Sequence, residues 1–257
     1  KSGWWKNTVV VVRKSVKEKF MKLEICIHCH SYQHRLCWML SSILQQQGDI
    51  PEILVSVSYT PENGNPKTKE VTDLFRKKGL NILDIELTPK EAPNRAIPRN
   101  LRAGATEADW ILFADGDMVY DPMFFDDLKK KLESDEFKGE TKVLGADRHS
   151  LDIPFCIKFF EEDERTYPCE IEDVTSAPSQ WPKKWISGRK TCAGYFQLAR
   201  VQAIKDAGGV YSGSKRDFWR RTKSDRQFRV HMGGRRPIEV LPQYHLNHDR
   251  GGPDIQR

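Results

Sequence analysis

The stretch Trp110-Ile111-Leu112-Phe113-Ala114-Asp115-Gly116-Asp117-Met118-Val119-Tyr120 decides how this chain is read. An apolar run of strand-forming residues drives into two aspartates with one glycine between them, and an apolar pair resumes immediately afterwards. A carboxylate buried in a strand without a partner is strongly penalised or takes up a proton, so Asp115 and Asp117 call for a cation or a set of donors. Two aspartates in an exposed turn would need turn-formers on both sides, and here both sides read as strand. Hard divalent cations take oxygen ligands and leave positions for a substrate phosphate. The ligand this pattern implies is a phosphate ester bound to magnesium or manganese.

Working outward, the first half of the chain repeats one rhythm of short apolar strand, polar turn and amphipathic helix. The pattern predicts strands at 23–28, 52–59, 81–87 and 110–114, and helices at 35–47, 69–78 and 99–106. Gly79 closes the second of these helices. Strands alternating with helices imply right-handed crossovers and a mostly parallel α/β sheet flanked by helices. Ligands in such sheets bind beyond the carboxyl ends of the strands, which is where Asp115 and Asp117 fall. A short helix at 122–132 and a strand at 142–146 follow. Residues 150–190 mix acids, aromatics and prolines without a period and read as an excursion over one edge of the sheet. Order returns with Gly194 to Leu198, helices at 201–207 and 225–232, and one final strand at 238–247. Thr8 to Val12 reads as an edge strand and Lys14 to Phe20 as a short helix. The expected divisions are an amino-terminal extension (1–21), a first half carrying the two aspartates (22–149), an insertion or excursion (150–190), a second half (191–250) and a glycine-rich tail (251–257).

With 257 residues the chain can bury one sizeable core. No apolar run approaches the length of a membrane-spanning helix. Lys1 stands where a methionine would be expected, so a cut in a longer multidomain protein or a processed end is anticipated, with Met21 an alternative start. A cytoplasmic location is the expectation, left open if a targeting or membrane segment precedes Lys1. The net charge of +6 is spread among acids, apart from short clusters such as Lys215 to Arg221 and Arg235-Arg236, and this argues against general nucleic-acid binding. Six cysteines are too few for a disulfide scaffold at this length. Cys26 and Cys29 form a Cys-x-x-Cys, but there is no second ligand pair, and strand geometry would turn the two side chains apart. Cys26 reads instead as a small core residue.

Several of these segments together resemble nucleotide-sugar-dependent glycosyltransferases of the GT-A fold, close to the large family 2 group. The first strand, the Ser31-Tyr32 loop and the helix ending in Gln45-Gln46-Gln47 resemble that group's opening unit. Asn94-Arg95-Ala96, then Arg99-Asn100, then Ala114-Asp115-Gly116-Asp117 resemble the segment leading into its Asp-x-Asp motif. The same run is similar to the galactosyltransferase pattern of Asn-Arg-Ala followed by Asp-x-Asp. Downstream, Gly194-Tyr195-Phe196, Gly208-Gly209 and Ser224-Asp225 resemble the acceptor-side segment, and His248-Asp249-Arg250 resembles the late histidine of the metal-dependent members. Two departures stand out. Ser58-Tyr59-Thr60-Pro61-Glu62 replaces the acidic residues that usually hold base and ribose, and Ser224-Asp225 replaces a Glu-Asp pair.

The resemblance implies a metal-dependent, inverting transferase that moves a sugar from a UDP- or GDP-type donor to a hydroxyl of a glycan or other acceptor. Asp117 is implied as the direct ligand of Mn2+ or Mg2+, with Asp115 second, on the ribose or a metal-bound water. Gly116 would let the backbone approach the nucleotide, and Arg95 or Arg99 would bond its phosphates. Ser31 and Tyr32 would line the donor site, and Asp225 would be the general base. His245 and His248 fall on opposite faces of a straight strand, so only one would face the metal, and His248 is favoured. His28, His30 and His34 cluster at the end of the first strand, where nucleotide packing or loop polarity accounts for them better than ligation. Trp181, Trp185 and Trp219 flank the acceptor side, as sugar-stacking platforms or as packing.

The rival classes are a nucleotidyltransferase, a catalytically silent carbohydrate- or nucleic-acid-binding module, and a phosphatase or nuclease. The first should carry a glycine-rich phosphate loop after the first strand, and His28 to Arg35 contains no glycine. The last needs further carboxylates around a metal pair.

Overall fold

A computed structural model describes residues 20–29, 33–61, 66–174, 181, 183–186, 194–210 and 224–246. The predicted elements at 8–12 and 14–20 fall almost wholly outside these residues. In chain order the described elements are β1 (Lys22–His28), α1 (Gln33–Leu44), β2 (Glu52–Tyr59), α2 (Pro66–Lys77), β3 (Ile82–Glu86), α3 (Ala96–Ala105), β4 (Trp110–Asp115), β5 (Met118–Tyr120), α4 (Phe124–Glu133), β6 (Val143–Gly145), β7 (Arg148–Leu151), α5 (Ile153–Glu162), β8 (Lys183–Ile186), β9 (Phe196–Arg200), α6 (Val201–Asp206), α7 (Ser224–His231), β10 (Arg235–Pro237) and β11 (Gln243–His245).

Seven strands form one mixed sheet in the order β10-β6-β9-β4-β1-β2-β3. β1 pairs in parallel with both β2 and β4, β2 with β3, and β6 with β10, while β9 runs antiparallel between β4 and β6. The central strands are apolar on both faces because both faces are covered. From β1, Leu23, Ile25 and Ile27 enter one core with α1 and α2, through residues such as Leu36, Leu40, Val71 and Phe75. Cys26 enters the other core, beside Ala103 of α3 and Ile204 of α6. Cys29 lies with the first core, so the two thiols of the Cys-x-x-Cys do face apart. Burial pushes the Cys26 thiol up to about 12, as befits an inert core residue. Gly79 follows α2 at φ 107°, a conformation that costs glycine little.

Glu24 is a charged residue among the buried, apolar neighbours of β1. It is fully buried on β1 and accepts two bonds from Arg102 of α3, at 2.6 and 3.0 Å, and one from the Ser56 hydroxyl at 2.6 Å. The pair ties α3 to the sheet.

Four strands make a second sheet, ordered β5-β11-β7-β8. The predicted strand at 238–247 is confined to β11 in the second sheet, and β10, just before the predicted range, joins the first sheet. Pro237 and Pro242 flank the break between these two strands, and neither can donate a ladder bond. The region read as an excursion contains α5, β8 and the end of β7. It packs on α1 rather than over a sheet edge: Trp38 meets Phe159 and Trp181 edge-on at 5.2 and 5.4 Å. Ile171 donates to the Ser41 hydroxyl at 2.8 Å, and its carbonyl accepts from Gln45 at 2.6 Å. Consequently α1 is buried from His34 to Ile43, not on one face only. Among the described residues, no helix is long and apolar enough to cross a membrane.

Candidate active site

Strand order reverses direction between β1 and β4, and crevices at such switch points are where open α/β sheets take ligands. The parallel register sets His28, the last residue of β1, directly beside Asp115, the last of β4. On its other side His28 pairs with Ser58, whose hydroxyl donates to the Ile27 carbonyl at 3.0 Å. That hydroxyl has no second proton, so the His28 ring donates through Nδ1 to Ser58 Oγ at 3.0 Å. His28 thus borders the crevice by register.

Asp115 accepts from Arg95 Nη1 at 3.1 Å. Burial pushes its carboxyl above the ordinary range; Arg95 opposes this, while the charges of Asp117 and Asp225 reinforce it. Beyond it the chain turns through Gly116, where a Cβ would press on Ile27 Cγ2 at 3.3 Å, so packing against β1 already accounts for the glycine.

Asp117 then hands the chain to the second sheet. β5 and β11 run antiparallel with Met118 opposite His245, and Leu246 donates to the Asp117 carbonyl at 2.8 Å. This register lays the His245 ring against the Asp117 carboxylate, Nε2 to Oδ2 at 3.2 Å, with both side chains 9% exposed. His245 Nδ1 lies 3.4 Å from Ser150 Oγ on β7. Among the described residues no group of three or more His, Cys, Asp or Glu side chains could hold a metal ion. The Asp117–His245 pair supplies one carboxylate and one imidazole. Two protein donors suit Mn2+ or Mg2+ where substrate phosphates and water complete the shell. His248, favoured from the sequence, lies outside the described residues.

Asp225 stands in the first turn of α7. Its Oδ1 accepts from Arg99 Nη1 at 2.6 Å, and its backbone carbonyl accepts from Gln197 Nε2 at 3.2 Å. Burial opposes ionisation, but Arg99, aided by Arg95 and Arg229, holds the Asp225 carboxyl below the ordinary range. Arg99, offered from the sequence with Arg95 as an alternative for the donor phosphates, is instead paired with Asp225. Arg95, on the same helix edge, faces Asp115.

The other sequence candidates divide. Ser31, Tyr32 and Trp219 lie outside the described residues. Trp185 lies on β8 opposite His149, described in its backbone alone. Trp181 is buried among Trp38, Phe155 and Phe159 and serves as packing, not as a sugar platform. Gln197 was missed. Its signal was a glutamine inside the apolar run Phe196 to Leu198, where an amide needs partners.

No protein-family model and no curated protein sequence matches the chain. Solved structures do. S. aureus TarS aligns with TM-score 0.59 and 15% identity over 88% of this chain and 36% of that one. TarS 1-349 in complex with UDP-GlcNAc aligns with TM-score 0.55 and 16% identity over 91% of this chain and 60% of that one. The mannosyltransferase PcManGT from Pyrobaculum calidifontis, in complex with GDP-Man and Mn2+, aligns with TM-score 0.56 and 11% identity over 91% of this chain and 59% of that one. The chain thus spans from about a third to three fifths of the structures it matches. The likeness at these identities is one of fold: a seven-stranded, mostly parallel sheet flanked by helices, shared with a mannosyltransferase and with TarS.

Proposed function

We propose that this chain is the catalytic part of a metal-dependent inverting glycosyltransferase, using a nucleoside diphosphate sugar as donor and a hydroxyl as acceptor. The observation that carries the reading is the convergence at one crevice of three differently equipped carboxylates: Asp115 on Arg95, Asp117 on His245, and Asp225 on Arg99. The mutual influence of Asp115 and Asp225 supports a single site with a donor side and an acceptor side. The bound nucleotide sugars and Mn2+ of the matched structures support the same class of donor.

In this reading Asp117 and His245 would hold Mn2+ or Mg2+, with His248 an alternative to His245 and Asp115 a lesser contributor. The ion would act as a Lewis acid that neutralises charge on the departing diphosphate. Arg95 would add charge-assisted bonds to the phosphates once the donor competes for it. Asp225, kept ionised, takes the proton from the acceptor hydroxyl as that oxygen attacks the anomeric carbon opposite the diphosphate. One such displacement inverts the anomeric configuration.

UDP-GlcNAc and GDP-mannose with Mn2+ are the first donors to test, by calorimetric binding and by release of the nucleotide. Asp117→Ala should lose Mn2+-dependent binding of whichever donor the wild type takes, with its circular dichroism unchanged. Activity that persists in excess chelator would sink the metal-dependent reading, and a product that retains the donor's anomeric configuration would sink single displacement.

A further inference from the structure

We propose that Arg99 is a positioning residue for the base: with Gly194 it holds the Asp225 carboxylate in one orientation, and it is not a ligand of the donor phosphates. This rests on the reading of Asp225 as the base. Arg99 is held from several directions. It is 3% exposed, its guanidinium lies 5.1 Å from the Phe113 ring centre, and Nη1 reaches Asp225 Oδ1 at 2.6 Å and Gln197 Oε1 at 3.4 Å. A guanidinium lodged between an aromatic ring, an amide and a carboxylate is not placed to swing toward a diphosphate.

Gly194 closes the other side. A Cβ built at residue 194 would stand 2.5 Å from Asp225 Oδ2 and 3.0 Å from Cγ, so the carboxylate occupies the space that a side chain would fill. Gln197 Nε2 bonds the Asp225 backbone carbonyl and ties the start of α7 to β9. Arg99 therefore occupies Oδ1, and Oδ2, packed over Gly194, is the oxygen left to receive the acceptor's proton.

Helix α3 explains how one element serves both sides of the crevice. Arg95 precedes its first residue and Arg99 follows one turn later, so they share a face, and they take Asp115 and Asp225 respectively. The charged groups facing Asp225 are Arg99 and Arg95 from the α3 side, Arg229 from α7 itself and Asp115 from the end of β4. Without Arg99, Asp225 would keep the repulsion of Asp115 and lose its nearest cation.

The test is Mn2+-dependent turnover of UDP-GlcNAc and GDP-mannose, with water as the acceptor, measured as kcat, donor KM and pH profile. Asp225→Asn is run first and should lower kcat by roughly 100-fold or more. Arg99→Met and Gly194→Ala should then lower kcat by about 10- to 100-fold, the scale of a misaimed catalytic group, with donor KM within about twofold. Arg99→Met should also move the acid limb of kcat to higher pH, and Arg99→Lys should restore part of that limb but not the full kcat. If Arg99→Met does not fold by circular dichroism, Arg99→Lys and Gly194→Ala carry the test, with the same kcat loss and constant KM expected. A rise in donor KM at unchanged kcat and pH profile in the Arg99 variants would overturn the inference and leave the base standing. Undiminished kcat in Asp225→Asn, or no turnover of either donor by the wild type, would overturn the base reading and this inference with it.

Discussion

Asp115 and Asp225 share a crevice yet are driven in opposite directions. Asp115, with a raised pKa, is penalised when ionised; its contribution to stability falls as pH rises from 3.8 through the folded value and stays unfavourable at neutrality. Asp115→Asn should therefore raise the melting temperature of the metal-free protein at pH 7 while weakening Mn2+-nucleotide binding. A melting temperature that falls at pH 7 would contradict this account. Asp225 behaves in reverse. With a folded pKa below 3.8, its stabilisation is present above that value and is lost as pH falls through the folded pKa. Asp225→Asn should cost about 1.5–3 kcal/mol at pH 7, the range for a hydrogen bond to a charged group, and flatten the acid limb of the stability profile. Asp115 and Asp117 were legible in the sequence because carboxylates at the end of an apolar strand demand a counterpart. The pairing of His245 with Asp117 was not, since it depends on where β11 begins and on its register against β5.

At the scale of elements, α1 carries a concealed titration. His34 packs edge-on against Phe160 of α5 at 5.1 Å and lies 5.7 Å from the Tyr167 ring. Burial, with help from Arg35 and against Asp163, lowers its pKa from 6.5 to about 4. The unfolded chain thus binds the extra proton first, so stability is full above pH 6.5 and falls as pH drops toward 4, by a total on the order of 3 kcal/mol. His34→Phe should remove most of that slope in urea unfolding measured across this window; an unchanged slope would place its origin elsewhere. The Glu24–Arg102 pair makes a second element-scale prediction. Arg102→Met leaves Glu24 buried without its partner and should cost about 3–5 kcal/mol, whereas adding Glu24→Gln should recover part of the loss. Equal stability of the single and double variants would show that the two side chains are not coupled.

For the whole molecule, the two sheets meet at Asp117, so ligand binding there should stabilise both together. A UDP- or GDP-sugar with Mn2+ at about 100 times its dissociation constant should add about 2.7 kcal/mol. One thermal transition shifting as a unit is the expected result, and a shift limited to a minor transition would mean that the sheets unfold separately. The sequence by itself determined the alternation of strands and helices, the mostly parallel sheet and the two aspartates at a strand's carboxyl end. These follow from periodicity, turn residues and the cost of burying a charge, all readable within a few positions. Only the tertiary structure decided that α5 covers α1, that the last strand shrinks to β11 in a second sheet, and that Arg99 pairs with Asp225 and His245 with Asp117. Those last pairs lie 126 and 128 residues apart in sequence. No local pattern encodes such a distance, because which side chains meet across it is set by strand register and helix rotation in the folded chain.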